Sequence, residues 1–437
     1  TRKWKVPHFE KMLYDQALLS EAYLEGFLAT GNEEYRDIVQ DIFVFILRDM
    51  TSGGEGFYSA IDADSEGQEG KYYLWDYNEI VNLLDKDDAE LIIKMFDIRK
   101  NGNFVDEISN EFSGKNIFYK NRGLKDLSKD LKIPEWELKE QVREILEKLY
   151  LERKKRIHPL IDKKILTDWN GLMIASMAKG ARVLQRQIYM ENAKNAADFI
   201  LKNMVKGEIL YHSYCEGEIR GEGNIEDYAF FILGLIELYQ TSFNLRYLKE
   251  ALRLNKTLIN LFWDEKNGGF FYTPKNRKPI IYRQKESNDG AIPSGNSIAL
   301  FNLVKLAKLS SNESLLEKAE KIPKAFSLYI KQSLESHTTM LAAMMLMHHD
   351  SYEIIICGDK YSDKTEEMLH YLYKHYVPNK IVVLKPSEQD NSELDKISGF
   401  TKSYKCFEDK PTAYVCTNFE CKTPTTDYKK MLELLGQ

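Results

Sequence analysis

The chain has 437 residues, 43% of them hydrophobic and 12% aromatic, enough for a sizeable core and, at about 150 residues per domain, for two or three domains. Its 61 basic and 67 acidic side chains are intermixed and leave a net charge of −6, which argues against a nucleic-acid partner and its basic face. The apolar stretches fall well short of the ~20 residues that a membrane span needs. No signal peptide is visible, although the sequence opens on Thr1 rather than Met, and five cysteines are an odd number for a disulfide framework. A cytoplasmic location, with neither nucleic acid nor membrane as partner, is the default expectation.

From Phe9 to about His349 the chain reads as repeated helix pairs. Apolar residues at Met12, Leu13, Ala17, Leu18, Ala22, Leu24 and Leu28 predict a helix over 10–30, which Gly31-Asn32 ends before a second over 35–50. Helices are predicted near 77–96 and 135–155, on either side of a Gly- and Asn-rich insertion from Asn101 to Gly123. Pairs follow over 166–186 and 189–205, 224–242 and 246–263, and 293–309 and 313–332, with one more helix over 337–349. Six hairpins need one helix more than this pattern supplies, so the ring is predicted to lack one helix upstream of Thr1.

Three connections share a plan. Gly53-Gly54-Glu55-Gly56-Phe57-Tyr58, Gly207-Glu208-Ile209-Leu210-Tyr211 and Gly268-Gly269-Phe270-Phe271-Tyr272 each put glycine in a turn and aromatic or apolar residues in a short extended run. After His349 the pattern changes to strand (352–357), helix (363–375), strand (380–384), strand (413–416) and a last helix (427–435). The strand–helix–strand spacing implies a parallel pair in a small α/β unit, with the boundary near Asp350.

Candidate chemistry gathers at the helix starts. In the run from Val6 to Asp15, Pro7 and Glu10 suit a helix start, and Glu10, Tyr14 and Asp15 would share a face. A capped helix with a core-facing tyrosine would explain the same residues. Asp62-Ala63-Asp64-Ser65-Glu66-Gly67 resembles part of a Ca²⁺ loop without the framing of one; a solvated loop, or one carboxylate facing a cavity, fits as well.

Further along, Thr167 or Asp168 would cap a helix, which leaves Trp169 and Asn170 beside them as an aromatic platform and an amide suited to sugar faces and hydroxyls. Glu226-Asp227-Tyr228 and the run from Asp289 to Asn296 also open helices; Asp227 suits a cap. The glycine and proline density around Ser294 suggests backbone approaching a ligand or another helix. Cys416 and Cys421, with four residues between them and no second pair, make a poor zinc site. No phosphate loop or nucleotide fingerprint is present, so neither metal nor cofactor is expected.

The runs WKVPHFEKMLYD, GFYSAIDADSEGQEGKYYLW, KILTDWNGLMIASMAKGARVL, EDYAFFILGLIELY, DGAIPSGNSIALFNLVKL and AYVCTNFECKTP resemble the YyaL-type family of spermatogenesis-associated thioredoxin-like proteins. The resemblance implies a six-hairpin α/α toroid (glycosidase-like) over 1–349, similar to N-acylglucosamine 2-epimerases, and a small α/β domain over 350–437. It also implies an upstream thioredoxin-like domain in the full-length protein as a partner. The matching positions include His8, Glu10, Asp15, Asp62, Asp64, Asp168, Trp169, Asn170, Asp227, Asp289, Ser294 and Asn296, and the family carries no settled activity.

Three functions are therefore expected as alternatives. One is an enzyme acting on a small molecule, a sugar or related polyol, by epimerisation or hydrolysis. It would use His8, Glu10, Asp62, Asp64, Asp168 and Asp227 as catalytic groups and Tyr14, Asp15, Trp169, Asn170, Tyr228, Asp289, Ser294 and Asn296 as substrate contacts. Hydrolysis would pair Asp62 or Asp64 with Asp168 or Asp227; epimerisation would use His8 as base, although no second rim histidine stands in an obvious motif. Another is a non-catalytic module binding ligands or clients for the thioredoxin-like domain in redox or protein quality control. The third gives Cys406, Cys416 and Cys421 a redox role with that domain.

Overall fold

The computed structural model describes residues 5–53, 56–105, 113–279, 281–349, 351–387, 392–417 and 420–437. Gly54 and Glu55 of the first ribbon, part of the 101–123 insertion and the expected boundary residue Asp350 lie outside the described residues. The helices in chain order are α1 (Leu13–Thr30), α2 (Glu33–Asp49), α3 (Tyr77–Leu83), α4 (Lys86–Phe96), α5 (Leu124–Leu131), α6 (Glu135–Arg153), α7 (Thr167–Leu184), α8 (Gln187–Asn203), α9 (Ile225–Ser242), α10 (Leu245–Phe262), α11 (Gly295–Ser310), α12 (Glu313–Ala325), α13 (Ser327–Gln332), α14 (Thr338–His348), α15 (Asp363–Lys374), α16 (Ser392–Ile397) and α17 (Tyr428–Leu434). Among the described residues, no helix is long and apolar enough to cross a membrane.

Local chemistry sets many of the boundaries. Gly31 ends α1 at φ 68°, and the Asn32 side chain accepts the Glu34 N–H to start α2. The single helix expected over 77–96 is two, because Leu84 is extended and Asp85 caps a new start at Lys86. Helix α1 begins at Leu13 rather than Glu10, since Lys11 and Met12 are extended. The expected common helical face for Glu10, Tyr14 and Asp15 therefore does not exist.

The chain forms two compact units, one of residues 1–11 and 60–162, the other of residues 12–59 and 163–437. In the first, α3 to α6 close on a core that includes Trp75, Ile80, Ile92, Leu127, Leu138 and Ile145. Helix α5 was not expected from the sequence; Leu124, Leu127 and Leu131 stand at helical spacing, but over eight residues only.

The second unit has inner and outer helices. Helices α1, α7, α9, α11 and α14 form the inner layer, α7 against α1 and α9, and α11 against α9 and α14. Helices α2, α8, α10 and α12 lie outside, each packed on the inner helix that precedes it in the chain among α1, α7, α9 and α11. This mainly α arrangement is of the α/α toroid kind. Helices α7, α9 and α11 are buried almost all round, whereas α10 buries one stripe (Tyr247, Leu248, Ala251, Leu254, Leu258). Helices α7 and α9 approach closely enough that a Cβ on Gly171 would lie 2.4 Å from the Phe230 carbonyl carbon. All five inner helices, with residues 373–382, line a cavity of about 480 Å³. On its wall Glu237 is ion-paired with Arg182 and Lys305.

The C-terminal sheet has the strand order Lys380–Lys385, Tyr352–Cys357, Thr412–Thr417, Glu420–Cys421. The first two run parallel, in register Ile354 to Val382, and the others antiparallel, so the sheet is mixed. Helix α15 makes the crossover that a parallel pair needs. Cys416 and Cys421 face each other across the last pair and form a disulfide, while Cys215, Cys357 and Cys406 are free.

Candidate active site

Two inner helices begin beside one strand. Ile165-Leu166, just before α7, pairs antiparallel with Tyr214-Ser213 of the strand Ile209–Cys215. The Thr167 hydroxyl, instead of capping α7, donates to the Tyr211 carbonyl at 2.6 Å. On that strand Leu210 and His212 share a face. The Leu210 N–H donates to the Tyr228 hydroxyl of α9 at 2.9 Å, and His212 Nδ1 donates to Asp227 Oδ1 at 2.9 Å. Asp227 Oδ2 accepts the Asn224 N–H at 2.8 Å, so this carboxylate closes the capping box of α9 and holds the imidazole together.

Asp168 completes the cluster. Its Oδ1 accepts the Trp169 N–H at 2.8 Å, and the ligating atoms of Asp168, His212 and Asp227 all lie within 4.8 Å of one another. His212 and Asp227 are at hydrogen-bond distance, and the spacing of the three groups would also admit one divalent cation. Burial, and then the neighbouring Asp227 charge, push the Asp168 carboxyl up to about 7, against the pull of His212. The hydrogen bond to Asp227, together with the charges of Asp227, Asp168 and Glu226, raises His212 to about 9. Because the groups share one site, the steps in which they lose protons belong to the cluster as a whole.

Glu226 stands next to this cluster in the first turn of α9. Burial pushes it up to about 8, helped by the charges of Asp227, Glu286 and Asp168. The Tyr272 carbonyl accepts the Ile225 N–H at 3.1 Å, and burial and the same carboxylates raise the Tyr272 hydroxyl to about 12. The Tyr14 and Trp169 rings meet edge to face with centroids 4.8 Å apart. Half-buried rings and ionisable groups with opposite tasks are therefore collected where α7 and α9 begin.

The other expected residues fall elsewhere. Asn170 Oδ1 accepts the Phe57 N–H at 2.9 Å, and its Nδ2 donates to the carbonyls of Phe57 and Leu166. Asn296 likewise takes the Phe270 N–H and donates to the carbonyls of Phe270 and Glu286. Both amides, expected to meet a substrate, bind backbone. Tyr228, also expected there, is 1% exposed and packs on Phe262.

Asp289 ties two helix starts together, accepting the N–H groups of Ser294 and Thr339. Ser294 caps α11, and the expected close approach at Gly295 is to another helix, with Ile225 2.6 Å from where a Cβ would stand. Asp15 is half-buried in the first turn of α1.

In the first unit His8 and Glu10 are exposed, with His8 Nδ1 3.6 Å from Glu69 and Nε2 3.9 Å from Glu10. Asp64-Ser65 pairs with Gln68-Glu69 in a tight hairpin turning at Glu66 and Gly67, both at positive φ. Asp62 and Asp64 are exposed, and the Asp62 carboxylate accepts the Asp64 N–H.

Sequence reasoning overlooked His212 and left Glu226 outside the candidate set. The first could have been found by extending the second ribbon past Tyr211 and applying strand alternation.

No family model matches the chain. It is 32% identical to human spermatogenesis-associated protein 20 over 99% of its own length and 59% of that protein, and 31% identical to the rat protein over 100% and 59%. An uncharacterized protein of Caenorhabditis elegans is 30% identical, over 100% of this chain and 62% of that one. Among solved structures it is similar to a GH76 alpha-mannanase of Bacteroides thetaiotaomicron (TM-score 0.40, 11% identity, 78% of this chain and 75% of that one). It is also similar to a D-mannose isomerase (TM-score 0.36, 12% identity, 73% and 75%). Along nearly its entire length the chain is homologous to spermatogenesis-associated protein 20, and it spans 59% of the human protein.

Proposed function

We propose that the chain is an enzyme of proton transfer on a sugar or related polyol, of the epimerase or isomerase class. The supporting observation is the His212–Asp227 hydrogen bond with Asp168 beside it, all within 4.8 Å. In this reading His212, raised by its carboxylates, enters the reaction as the imidazolium acid. Asp168, raised toward neutrality by burial and by the Asp227 charge, is the base.

The base takes a proton from the carbon next to the substrate carbonyl while the acid gives one to the carbonyl oxygen; return of the proton regenerates both groups. Asp227 orients the ring, Trp169 and Tyr14 offer a surface for the sugar face, and Asn170 and Asn296 hold the surrounding ribbons. Hydrolysis by the Asp168–Asp227 pair is disfavoured, because a glycosidase needs its carboxyl groups about 5 to 9.5 Å apart, on opposite sides of the scissile bond.

The test is proton exchange. The protein is incubated in D₂O with a panel of aldoses and ketoses, and the C1 and C2 protons are followed by NMR. Deuterium should enter one or more sugars, and Asp168→Asn should abolish its entry while the melting temperature shows a folded protein. An absence of exchange in every sugar by the folded protein, or equal exchange by Asp168→Asn, would overturn the reading.

A further inference from the structure

Glu226 is held in a way that the proton-transfer cluster does not require. The residue is 9% exposed, and its Oε2 has no hydrogen-bond partner among the described residues. Its Oε1 lies 3.2 Å from where a Cβ on Gly295 would stand, so the carboxyl group is wedged between the starts of α9 and α11. Glycine at 295 is what leaves room for it. His212, which feels the Glu226 charge, is bonded to Asp227 instead. The other charges bearing on Glu226 are Asp227, Glu286 and Asp168, all acidic.

A buried acceptor with no donor, among like charges, is an arrangement that folding alone does not favour. A water would satisfy the lone pair but would bring no positive charge to a carboxyl crowded by acidic neighbours. A ligand that brings both a donor and a positive charge would meet both deficits. Tyr272 takes the Ile225 N–H on its carbonyl and its hydroxyl feels the Glu226 charge, and an aromatic side chain near a carboxyl group is a favourable setting for an organic cation.

We propose that the substrate of this site carries a protonated primary amine, held by Glu226 Oε2 at the start of α9. The substrate class is thus an amino-bearing polyol, such as an amino sugar with a free amine, in preference to a neutral, acylated or phosphorylated sugar. The inference rests on the reading of the neighbouring cluster as a sugar site, and adds what that site selects.

The experiment uses calorimetric titration of the full chain with glucosamine, glucose and N-acetylglucosamine at pH 7. A hydrogen bond to a charged group contributes roughly 1.5–3 kcal/mol, so glucosamine should bind at least about tenfold more tightly than either of the others. Glu226→Gln, which keeps the shape and removes the carboxyl that an amine would pair with, should erase the preference and leave glucosamine and glucose alike. Equal binding of the three sugars by the wild type, a preference that survives in Glu226→Gln, or no binding of any of them would overturn the proposal.

Deuterium exchange separates the two readings. Exchange into a neutral sugar without an amine preference removes the amine proposal and keeps proton transfer. A Glu226-dependent amine preference without exchange in any sugar keeps the amine site and removes proton transfer.

Discussion

Asn170 and Asn296 perform the same role at two places in the chain. Each stands in the first turn of an inner helix and bonds both the N–H and the carbonyl of one phenylalanine, Phe57 or Phe270, in the glycine-aromatic ribbon that precedes it in sequence. The residue before each phenylalanine is a glycine at positive φ. A Cβ on Gly56 would meet Asn170 Oδ1 at 3.2 Å, and one on Gly269 would meet Asn296 Oδ1 at 3.6 Å. Tyr228 does a related job on the third ribbon by taking the Leu210 N–H.

Replacing either asparagine with alanine strands a buried donor and acceptor of the ribbon. At roughly 1–3 kcal/mol for each group left unpaired, Asn170→Ala or Asn296→Ala should destabilise the second unit by about 2 kcal/mol or more. Urea unfolding followed by circular dichroism reads this as a lower midpoint at unchanged slope. An unaltered midpoint would mean that the clamp contributes nothing.

Gly171→Ala tests the crossing of α7 and α9. The new Cβ would stand 2.4 Å from the Phe230 carbonyl carbon and 2.5 Å from the Phe231 nitrogen, both backbone atoms that cannot swing aside. Overpacking costs about 1–3 kcal/mol, and contact with backbone should put this case at the upper end. Gly290→Ala, with nothing within 4 Å and no positive φ, is the control and should stay within about 0.5 kcal/mol.

Much of this fold was readable from the sequence because its helices are long and periodic and its ribbons repeat. The helices from Thr167 to Ser310 fall within a few residues of their expected bounds, while the one expected over 313–332 breaks at Phe326 into α12 and α13. The site was less readable, for reasons that lie in particular residues. Asn170 and Asn296 look like sugar-binding amides in sequence, and only distance shows that the ribbons consume them. His212 lies in an exposed-looking hairpin 44 residues from Asp168, and the antiparallel pairing of Leu166 with Ser213 is what joins them. Glu226 reads as an ordinary acid in a first helical turn; that its Oε2 is buried without a donor has no sequence signature.

Glu226→Gln should also change how stability depends on pH. The folded protein raises this carboxyl from 4.5 to about 8, so its favourable contribution is complete below about pH 4.5 and is lost as pH rises through 8. A tenfold change in proton affinity between the folded and unfolded chain corresponds to about 1.4 kcal/mol of stability. Wild type should therefore melt several degrees lower at pH 9 than at pH 5, and Glu226→Gln should flatten that difference. Parallel melting curves for the two proteins between pH 5 and 9 would contradict the assigned burial.

Glu237 is the opposite case. Burial works to raise its carboxyl, but Lys305, Arg182 and Lys179 outweigh burial and hold it well below the usual carboxylate range. Its contribution is thus present above about pH 4.5 and is lost as the solution becomes strongly acid. Glu237→Gln leaves Arg182 and Lys305 buried without their shared anion, which should cost about 3–5 kcal/mol at pH 7 and much less at pH 3. Guanidinium titrations at the two pH values compare these directly.

The pH–rate profile of the exchange reaction tests the division of labour in the cluster. Activity needs Asp168 ionised and His212 protonated, so kcat/KM should rise through about pH 7 and fall through about pH 9, both limbs belonging to the cluster as a whole. Asp227→Asn removes the hydrogen bond that chiefly raises His212 and the charge that helps to raise Asp168. Both limbs should then move to lower pH, the alkaline one by more, and kcat should fall by roughly 10² to 10⁴, the range for a lost acid–base function. If Asp227→Asn lowers the rate but leaves both limbs in place, Asp227 does not set the protonation of its neighbours. Activity that rises on adding Zn²⁺ and is abolished by a chelator would instead put a cation where the proton is assigned.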